Sequence, residues 1–310
     1  MRHRIEYLLV AAMAFGIRIM PRPIARLAGT MVGFAFFTLD GVHRRITLDN
    51  LASAFPRRSA AERRAIARHV FSHFGRLLFE LLKFSTFPHK RMLALVDVDG
   101  EERVRQAYAQ GRGVLFFTGH FGYWEIHAIA HALKFQPIGV LARPLDNPHL
   151  NAFLEGVRSC TGNTVIYRRS ALRRVLRTLD AGQGVALLID QHILTPEAVY
   201  VDFFERPAAT TSALAAIALR TGAPVVPVFA VPLERGRYRL IYDHPIEPPR
   251  ADSPDPVAEL TQRCTDVLEM YVRRYPGLWL WMHRRWRDGT SSDRVPGMFP
   301  AASRDAEADV

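Results

Sequence analysis

Cysteine and lysine are both scarce in this chain of 310 residues. Its two cysteines, Cys160 and Cys264, lie far apart and without metal-type spacing. They exclude a disulfide framework and a cysteine zinc site, and we expect free thiols in a reducing compartment. Only Lys83, Lys90 and Lys134 are lysines, so arginine supplies nearly all of the 41 basic residues. The sequence also lacks a phosphate-binding loop and a dinucleotide-binding fingerprint.

The charge and composition restrict the possible partners. The net charge is +11 and the isoelectric point is about 10.2, while 49% hydrophobic and 23% charged residues are ordinary for a globular protein. Such a composition excludes disordered and fibrous classes, and the length suffices for a real core. A strongly basic chain usually meets nucleic acid, an anionic membrane face or an acidic protein.

Long hydrophobic runs are absent from the amino terminus, although two shorter ones occur there. Residues 7–17 and 27–39 are uncharged, and Arg18, Arg22 and Arg26 lie between them. As helices these runs measure about 16 and 20 Å, short of the roughly 30 Å of a bilayer core. We interpret them as membrane-associated helices that lie in the bilayer interface with arginines at headgroup level. Two buried helices of a soluble domain, or a cleaved signal peptide, are the alternatives.

The rest of the chain alternates between helical and strand patterns. Ser59 and Glu62 form a capping box that opens a long amphipathic helix to about Phe84. Beyond it, short apolar runs and helical stretches alternate, which is typical of an α/β fold with a mainly parallel mixed sheet flanked by helices. The apolar runs are 114–118, 138–142, 165–167, 185–189 and 225–231, and the helical stretches are 123–133, 148–160, 171–181, 212–220 and 255–275.

The carboxy-terminal third completes the predicted organisation. The alternating segment 238–242 predicts an antiparallel edge strand. The polar segment 289–310 predicts a disordered tail. The chain is thereby divided into membrane-anchoring helices over 1–40, one α/β domain over 41–288, and the tail.

A candidate site follows the first long apolar run. Gly119-His120-Phe121-Gly122 comes directly after residues 114–118, and Glu125 comes five residues after His120. Ligands of open α/β sheets bind beyond the carboxyl ends of strands. With His120 on the turn and Glu125 on the first turn of the next helix, Glu125 orients an imidazole that acts as a general base. The helix-start N–H groups favour an oxyanion, and this arrangement suits acyl transfer to a hydroxyl without a covalent intermediate.

The spacing alone leaves two other interpretations open. A histidine followed five positions later by an acid occurs about once by chance in a chain of this composition, so His120 can be a surface histidine at a helix cap. Glu125, His127 and His131, together with the segment 190–192 after another apolar run, also carry donors typical of a metal-dependent hydrolase.

Over about residues 43–287 the chain resembles the bacterial lipid A biosynthesis acyltransferases, the late lauroyl/myristoyl transferases of the lysophospholipid-acyltransferase-like superfamily. The resemblance is carried by an ordered series of blocks: Arg44-Arg45, Asn50-Leu51, Phe55-Pro56, His120 to Glu125, Arg143 to Pro148, Arg158, Asp190-Gln191, Val201 to Phe204, Pro207, Thr210-Thr211, and Trp279 to Trp286.

This resemblance implies a thioester-dependent O-acyltransferase on the cytoplasmic face of the bacterial inner membrane. Its donor would be acyl carrier protein, with coenzyme A not distinguished, and its acceptor an acylated, phosphorylated glucosamine lipid. No cofactor or metal is implied. His120 and Glu125 match the catalytic pair, while Arg158 and Asp190 match a further arginine and aspartate of importance. Many members have Asn where this chain has Gly119, which leaves a lysophospholipid, an ornithine lipid or another glycolipid open as acceptor.

Arginines near the predicted strand ends suit substrate phosphates. We expect Arg143, Arg158 and Asp190 to form the substrate-binding part of the site, and Arg168 and Arg169 to be surface charge. The alternatives are a solvated or cap-bonding Arg143 and a buried, paired Arg158. Asp190 ends an apolar strand and must be paired or face solvent; we expect it to pair with an arginine such as Arg158.

The last motif is a basic–aromatic cluster formed by residues 279–286. It predicts a membrane-interface element, with tryptophans that merely close the core as the alternative. No recognised nucleic-acid fold accompanies it, so nucleic acid is not an expected partner. A catalytically silent lipid-binding protein is the hypothesis outside enzymology.

Overall fold

The computed structural model describes residues 2–167, 171–193 and 198–286. The predicted tail, 289–310, lies outside these residues. Within them the α-helices are α1 (Arg2–Ile19), α2 (Arg22–Leu39), α3 (Gly41–Ala54), α4 (Ala60–Phe84), α5 (His89–Ala94), α6 (Glu101–Ala109), α7 (Trp124–Lys134), α8 (Pro148–Arg158), α9 (Ala171–Asp180), α10 (Ala213–Thr221) and α11 (Pro256–Arg274).

The described strands form one large sheet and one hairpin. They are β1 (Val96–Asp99), β2 (Val114–Thr118), β3 (Ile138–Ala142), β4 (Thr164–Tyr167), β5 (Gly184–Leu188), β6 (Ala198–Asp202), β7 (Pro207–Thr211), β8 (Val225–Pro232) and β9 (Tyr238–Tyr242). The order in the large sheet is β1-β9-β8-β2-β5-β3-β4, and β6 pairs with β7. Only β8–β9 is antiparallel within the large sheet. The prediction of a mainly parallel mixed sheet flanked by helices is confirmed.

One detail of the sheet prediction is wrong. β9 is antiparallel to β8 as expected, but it is not an edge strand, because β1 pairs with it in parallel on its outer side. β1 is only four residues long and alternates Val with Asp, so it carries little apolar signal.

Helices cover both faces of the sheet. Along β2, Leu115 and Phe117 face a core shared with α9, α10 and α11, whereas Val114 and Phe116 face a core shared with α6, α7 and α8. These alternate side chains are fully buried. β2 is therefore a central strand whose carboxyl end is walled by helices on both sides.

Helix α4 supports the loop that follows β2. Ser59 and Glu62 form the predicted capping box at its start. Further along, His73 is buried and its Nε2 lies 3.1 Å from the carbonyl oxygen of Gly122. Burial lowers the pKa of His73 to about 3, so the ring is neutral and donates to that oxygen.

The amino-terminal helices pack against the body of the protein along one side. Gly33 of α2 and Gly75 of α4 are in such close contact that an added Cβ on either would lie within 2.3 Å of backbone oxygen. The outward sides are apolar: the exposed large side chains on α1 and α2 are Ile5, Leu8, Leu9, Met13, Phe15, Ile19, Ile24, Leu27, Met31, Val32, Phe34, Phe36 and Leu39. Among the described residues, no helix combines the length and apolar character needed to cross a membrane.

Candidate active site

The loop after β2 is fixed by backbone contacts on both sides. Gly122 has a left-handed φ of 57°, and a Cβ there would lie 1.9 Å from the oxygen of Ala230. Its N–H donates to Leu278, and Phe121 forms a β-bridge with Trp279. The carboxy-terminal segment therefore determines where the loop holds His120.

His120 pairs with Asp190. The ring Nδ1 lies 2.8 Å from Oδ1 of Asp190, and the backbone N–H of His120 donates to Oδ2 at 2.7 Å. The indole Nε1 of Trp279 donates to the same Oδ2 at 2.8 Å. Because a carboxylate only accepts, the neutral ring carries its proton on Nδ1 and leaves the lone pair of Nε2 available.

Sheet register explains this pairing. β2 and β5 are adjacent and parallel, with Thr118 opposite Leu188, and Ile189 donates its N–H to Thr118. The residues that follow the two strands, His120 and Asp190, thus leave the sheet side by side. Gly119 permits the contact, since a Cβ there would lie 2.9 Å from Asp190 Oδ2.

The two groups shift each other's pKa. Burial lowers the pKa of His120, but the charge and hydrogen bond of Asp190 and the charge of Glu125 raise it more, so the net shift is upward. Burial raises the pKa of Asp190, but His120 and Trp279 outweigh it and lower it to about 2. The side chain of His120 is 18% exposed, against 3% for Asp190, so a base open to solvent is backed by a buried carboxylate.

The predicted role of Glu125 as the group that orients His120 is wrong. Glu125 instead receives a two-pronged ion pair from Arg158, whose Nε lies 2.9 Å from Oε2 and whose Nη2 contacts Oε1. The predicted pairing of Asp190 with Arg158 is wrong for the same reason. Glu125 belongs to the first turn of α7, and the end of α8 reaches it there, whereas Asp190 lies beside the loop itself.

Gln191 and the start of α7 lie next to the His120 ring, since the ring of Trp124, the first residue of α7, is 5.3 Å from it. The amide nitrogen of Gln191 lies 3.5 Å from Nε2 of His120. The first helical hydrogen bond of α7 runs from His127 N–H to the oxygen of Tyr123. The N–H groups of residues 124–126 precede that bond and are not used within the helix, so they favour negative charge beside His120.

The carboxy-terminal cluster is a structural element of the site. Trp279 and Trp281 are fully buried, so the membrane-interface interpretation is wrong for them and they close the core. Arg285 is 1% exposed, and its Nη1 donates to the oxygen of Ala209 at 2.6 Å. Burial lowers the pKa of Arg285 to about 10, with the Asp190 charge acting against that shift.

Asn50 ties α3 to the same segment. Its amide donates to the oxygens of Trp281 and His283 at 2.9 and 2.8 Å. His283 in turn accepts from the N–H of His192 through Nε2 at 3.1 Å. Asn50 and His283, which are far apart in the sequence, are thereby linked by hydrogen bonds to His192, two residues after Asp190.

The remaining predicted arginines differ in position. Arg143 follows β3, is 49% exposed, and lies 3.5 Å from Asp146. Its predicted contact with substrate stays a prediction. Arg168 and Arg169 lie outside the described residues.

His127 and His131 lie away from the loop that follows β2, on the sheet-facing side of α7. Both are buried, and the ring of His131 contacts the hydroxyls of Tyr242 and Tyr108 at 2.8 and 3.1 Å. Burial lowers the pKa of His127 to about 3. In the part of the chain that the structure describes, no three His, Cys, Asp or Glu side chains are arranged to hold a metal ion.

Sequence reasoning missed several residues that build this site. Asn50, Trp279 and Arg285 act on residues far away in the chain, and only their place in motif blocks gives a signal, whereas His73 lies in no such block and gives none. Gln191 belongs to the block Asp190-Gln191, but that block does not indicate a contact with His120.

Comparison with known proteins gives a consistent result. The family model of the bacterial lipid A biosynthesis acyltransferases matches residues 1–288. The chain is 28% identical over 283 residues to the lipid A biosynthesis lauroyltransferase of Escherichia coli, with 90% of each chain covered. It is 26% identical to the palmitoleoyltransferase of the same organism, with 86% of each covered. It is also 22% identical to a phosphatidylinositol mannoside acyltransferase of Mycolicibacterium smegmatis, covering 74% of this chain and 75% of that protein.

Proposed function

Because this chain belongs to the bacterial lipid A biosynthesis acyltransferase family, we propose that it transfers a fatty acyl chain from acyl carrier protein to a hydroxyl of a lipid A precursor or related glycolipid. The observation that supports this proposal most is the geometry of His120. One ring nitrogen is held by buried Asp190, and the ring is partly exposed and lies next to Trp124, the first residue of α7.

In the proposed reaction His120 is the general base. Its Nε2 takes the proton from the acceptor hydroxyl while the hydroxyl oxygen attacks the thioester carbonyl carbon. Asp190 keeps the proton on Nδ1 and stabilises the imidazolium that forms. Asp190 therefore takes the role that the sequence had assigned to Glu125.

The second step releases the carrier. The tetrahedral oxyanion is stabilised by N–H groups at the start of α7, and a donor of this kind contributes roughly 3 kcal/mol. When the intermediate collapses, the carbon–sulfur bond breaks and the thiolate takes the proton from His120. The products are an ester and a free thiol, and the base is regenerated without a cofactor.

The Glu125–Arg158 ion pair joins the end of α8 to the first turn of α7 next to the site. It fixes the first turn of α7, which carries N–H groups that are not used within the helix. The charge of Glu125 also contributes to the raised pKa of His120. We assign Arg158 to positioning, and Arg143 to the phosphate of a lipid or of the carrier's phosphopantetheine arm.

The amino-terminal helices would hold the enzyme on the cytoplasmic face of the inner membrane. Their exposed apolar side chains are flanked by Arg2, Arg4 and Arg18. Such a surface inserts into the interface of a bilayer, and each basic residue near an anionic leaflet adds about 1 kcal/mol. The net charge of +11 would also attract a strongly acidic carrier protein.

Another acceptor is the second candidate, and two observations favour keeping it. The family resemblance implies Asn where this chain has Gly119, and a relative is named for phosphatidylinositol mannoside rather than lipid A. A Cβ at Gly119 would lie 2.9 Å from Asp190 Oδ2, so the residue at this position adjoins the His120–Asp190 pair.

Mass spectrometry of reaction products tests the proposal. Purified protein in phospholipid vesicles is given lauroyl-carrier protein or lauroyl-coenzyme A, with an acylated glucosamine phospholipid, a lysophospholipid or an ornithine lipid as acceptor. We expect one acyl mass on the glucosamine lipid, from the carrier donor, and none with His120→Ala. A mass gain on another acceptor alone moves the assignment to that lipid, and no gain on any acceptor contradicts it.

A further inference from the structure

Helix α1 is fastened to the body at its two ends. Near its start, the amide of Asn147 donates to the oxygen of His3 at 2.9 Å and to Glu6 Oε2 at 3.0 Å. At its end, the ammonium of Lys83 donates to the oxygen of Arg18. These polar contacts hold the ends of α1 against α8 and the end of α4. They do not involve the middle of the helix.

The middle of α1 faces an open cleft. The cleft has a volume of about 510 Å³, within the range of small-molecule sites. Its walls are mainly apolar and come from Ala11, Ala14 and Phe15 of α1 and from Phe153, Gly156 and Val157 of α8. Small residues keep it open, because no atom lies within 4 Å of a Cβ built on Gly156. The apolar side chains that line an empty cleft lack dispersion contacts on the open side. An apolar occupant would supply those contacts.

The edges of the cleft indicate what kind of molecule enters. Phe15 lines it and is also 65% exposed, so the cleft continues into the apolar outer side of α1 formed with Leu8 and Leu9. At the other side the guanidinium of Arg18 lies over the Phe153 ring at 5.6 Å. An apolar slot that joins an apolar surface and ends at a guanidinium matches a hydrocarbon chain that carries an anionic headgroup.

We propose that the α1–α8 cleft binds one acyl chain of an anionic membrane phospholipid, with the phosphate beside Arg18. The lipid is a resident ligand and takes no part in acyl transfer. On α8 the cleft residues Phe153, Gly156 and Val157 share one side of the helix, which excludes Arg158, whose guanidinium contacts Glu125. The lipid chain therefore fills the gap on one side of α8 while the other side supports the catalytic loop.

Photo-cross-linking on the full chain tests this site. The protein is bound to phosphatidylcholine vesicles that contain either a phosphatidylglycerol or a phosphatidylcholine with a diazirine in its acyl chain. Cross-linked peptides are identified by mass spectrometry after irradiation. We expect labelling of α8 around residues 152–160 from the phosphatidylglycerol probe, and Arg18→Gln should remove its preference over the phosphatidylcholine probe.

Matched leucine substitutions separate the cleft from the outer surface. Gly156→Leu puts a side chain into the open cleft, whereas Gly16→Leu adds the same side chain on the other side of α1, also in open space. A few added carbons in an apolar pocket change binding by about tenfold or more. We therefore expect Gly156→Leu to reduce α8 labelling about tenfold and Gly16→Leu to leave it unchanged.

A thiol measurement gives a second readout. Cys160 lines the cleft and Cys264 is buried at 1% exposure, so a maleimide should modify Cys160 selectively. Phosphatidylglycerol vesicles should protect Cys160 in the wild type more than in Arg18→Gln. Labelling that is confined to the outer side of α1, with Cys160 unprotected, overturns the lipid site. Labelling on neither side overturns the membrane association in the proposed function as well.

Discussion

His120 and His127 are seven residues apart, yet their surroundings give them opposite properties. His120 lies at the end of β2, partly open to solvent, and Asp190 raises its pKa above what burial would produce. His127 lies in α7 at 3% exposure, its Nε2 has no hydrogen-bond partner, and burial lowers its pKa to about 3. The two histidines thus differ because His120 has a carboxylate neighbour and a path to solvent, as a base requires, whereas His127 is a packed aromatic ring.

Replacing His120 and His127 in turn is expected to give the largest difference in activity between variants of the two sites. His120→Ala should reduce kcat/KM by about 10²–10⁴-fold, since the base is lost while the surrounding loop is held by backbone contacts. His127→Leu should keep activity near the wild type, because it replaces a ring whose Nε2 is already unpartnered. Acyl-transfer rates and circular dichroism of both variants check this. Equal losses in both would end the distinction between the two histidines.

Asp190→Asn should have the next largest effect. An amide cannot reproduce both accepting oxygens, and the loss of orientation should reduce kcat/KM by at least about 10²-fold. Since the negative charge raises the pKa of His120, its removal should move the acidic limb of the pH–rate profile to lower pH. The matched variant Glu125→Gln removes a more weakly acting charge and should move that limb less. A limb that moves to higher pH in Asp190→Asn contradicts the assignment.

Breaking the second ion pair should affect stability more than chemistry. Glu125→Gln or Arg158→Met leaves a largely buried charge unpaired, which costs about 3–5 kcal/mol in the free energy of unfolding. The double variant should be more stable than the sum of the two single losses predicts. Urea denaturation of the four proteins measures this coupling. Additive losses would mean that Glu125 and Arg158 act independently.

Metal removal is expected to have the smallest effect. Dialysis against a chelator should leave activity unchanged, because the proposed steps use only His120, Asp190 and backbone N–H groups. Activity that is lost on dialysis and restored by a divalent cation would favour the metal-dependent hydrolase interpretation.

The sequence predicted the strands of the sheet better than the contacts of the site. Apolar runs such as 114–118 coincide with strands, because a strand that is buried on both faces needs apolar side chains throughout. The sequence did not predict β1, because two of its four residues are Asp. The family resemblance assigned His120, Glu125, Arg158 and Asp190 to one site. It could not say which carboxylate meets His120, because the answer depends on the neighbour relation of β2 and β5.

Long-range contacts were also beyond sequence reasoning. Trp279 reaches Asp190 from 89 positions away, and the three-dimensional path of the carboxy-terminal segment decides that contact. The sequence therefore predicts interfacial tryptophans, whereas Trp279 and Trp281 are buried. Residue type indicates which side chains can be buried, but it does not predict which distant segments of the chain pack together around the site.

Titration of the histidine rings by nuclear magnetic resonance tests the central claim most directly. In protein labelled at histidine, with His120→Ala and His127→Leu used for assignment, His120 should titrate above its ordinary pKa of about 6.5. It should titrate lower in Asp190→Asn, and His127 should stay neutral through mildly acidic pH. A pKa of His120 that does not change in Asp190→Asn would contradict Asp190 as the partner of the catalytic base.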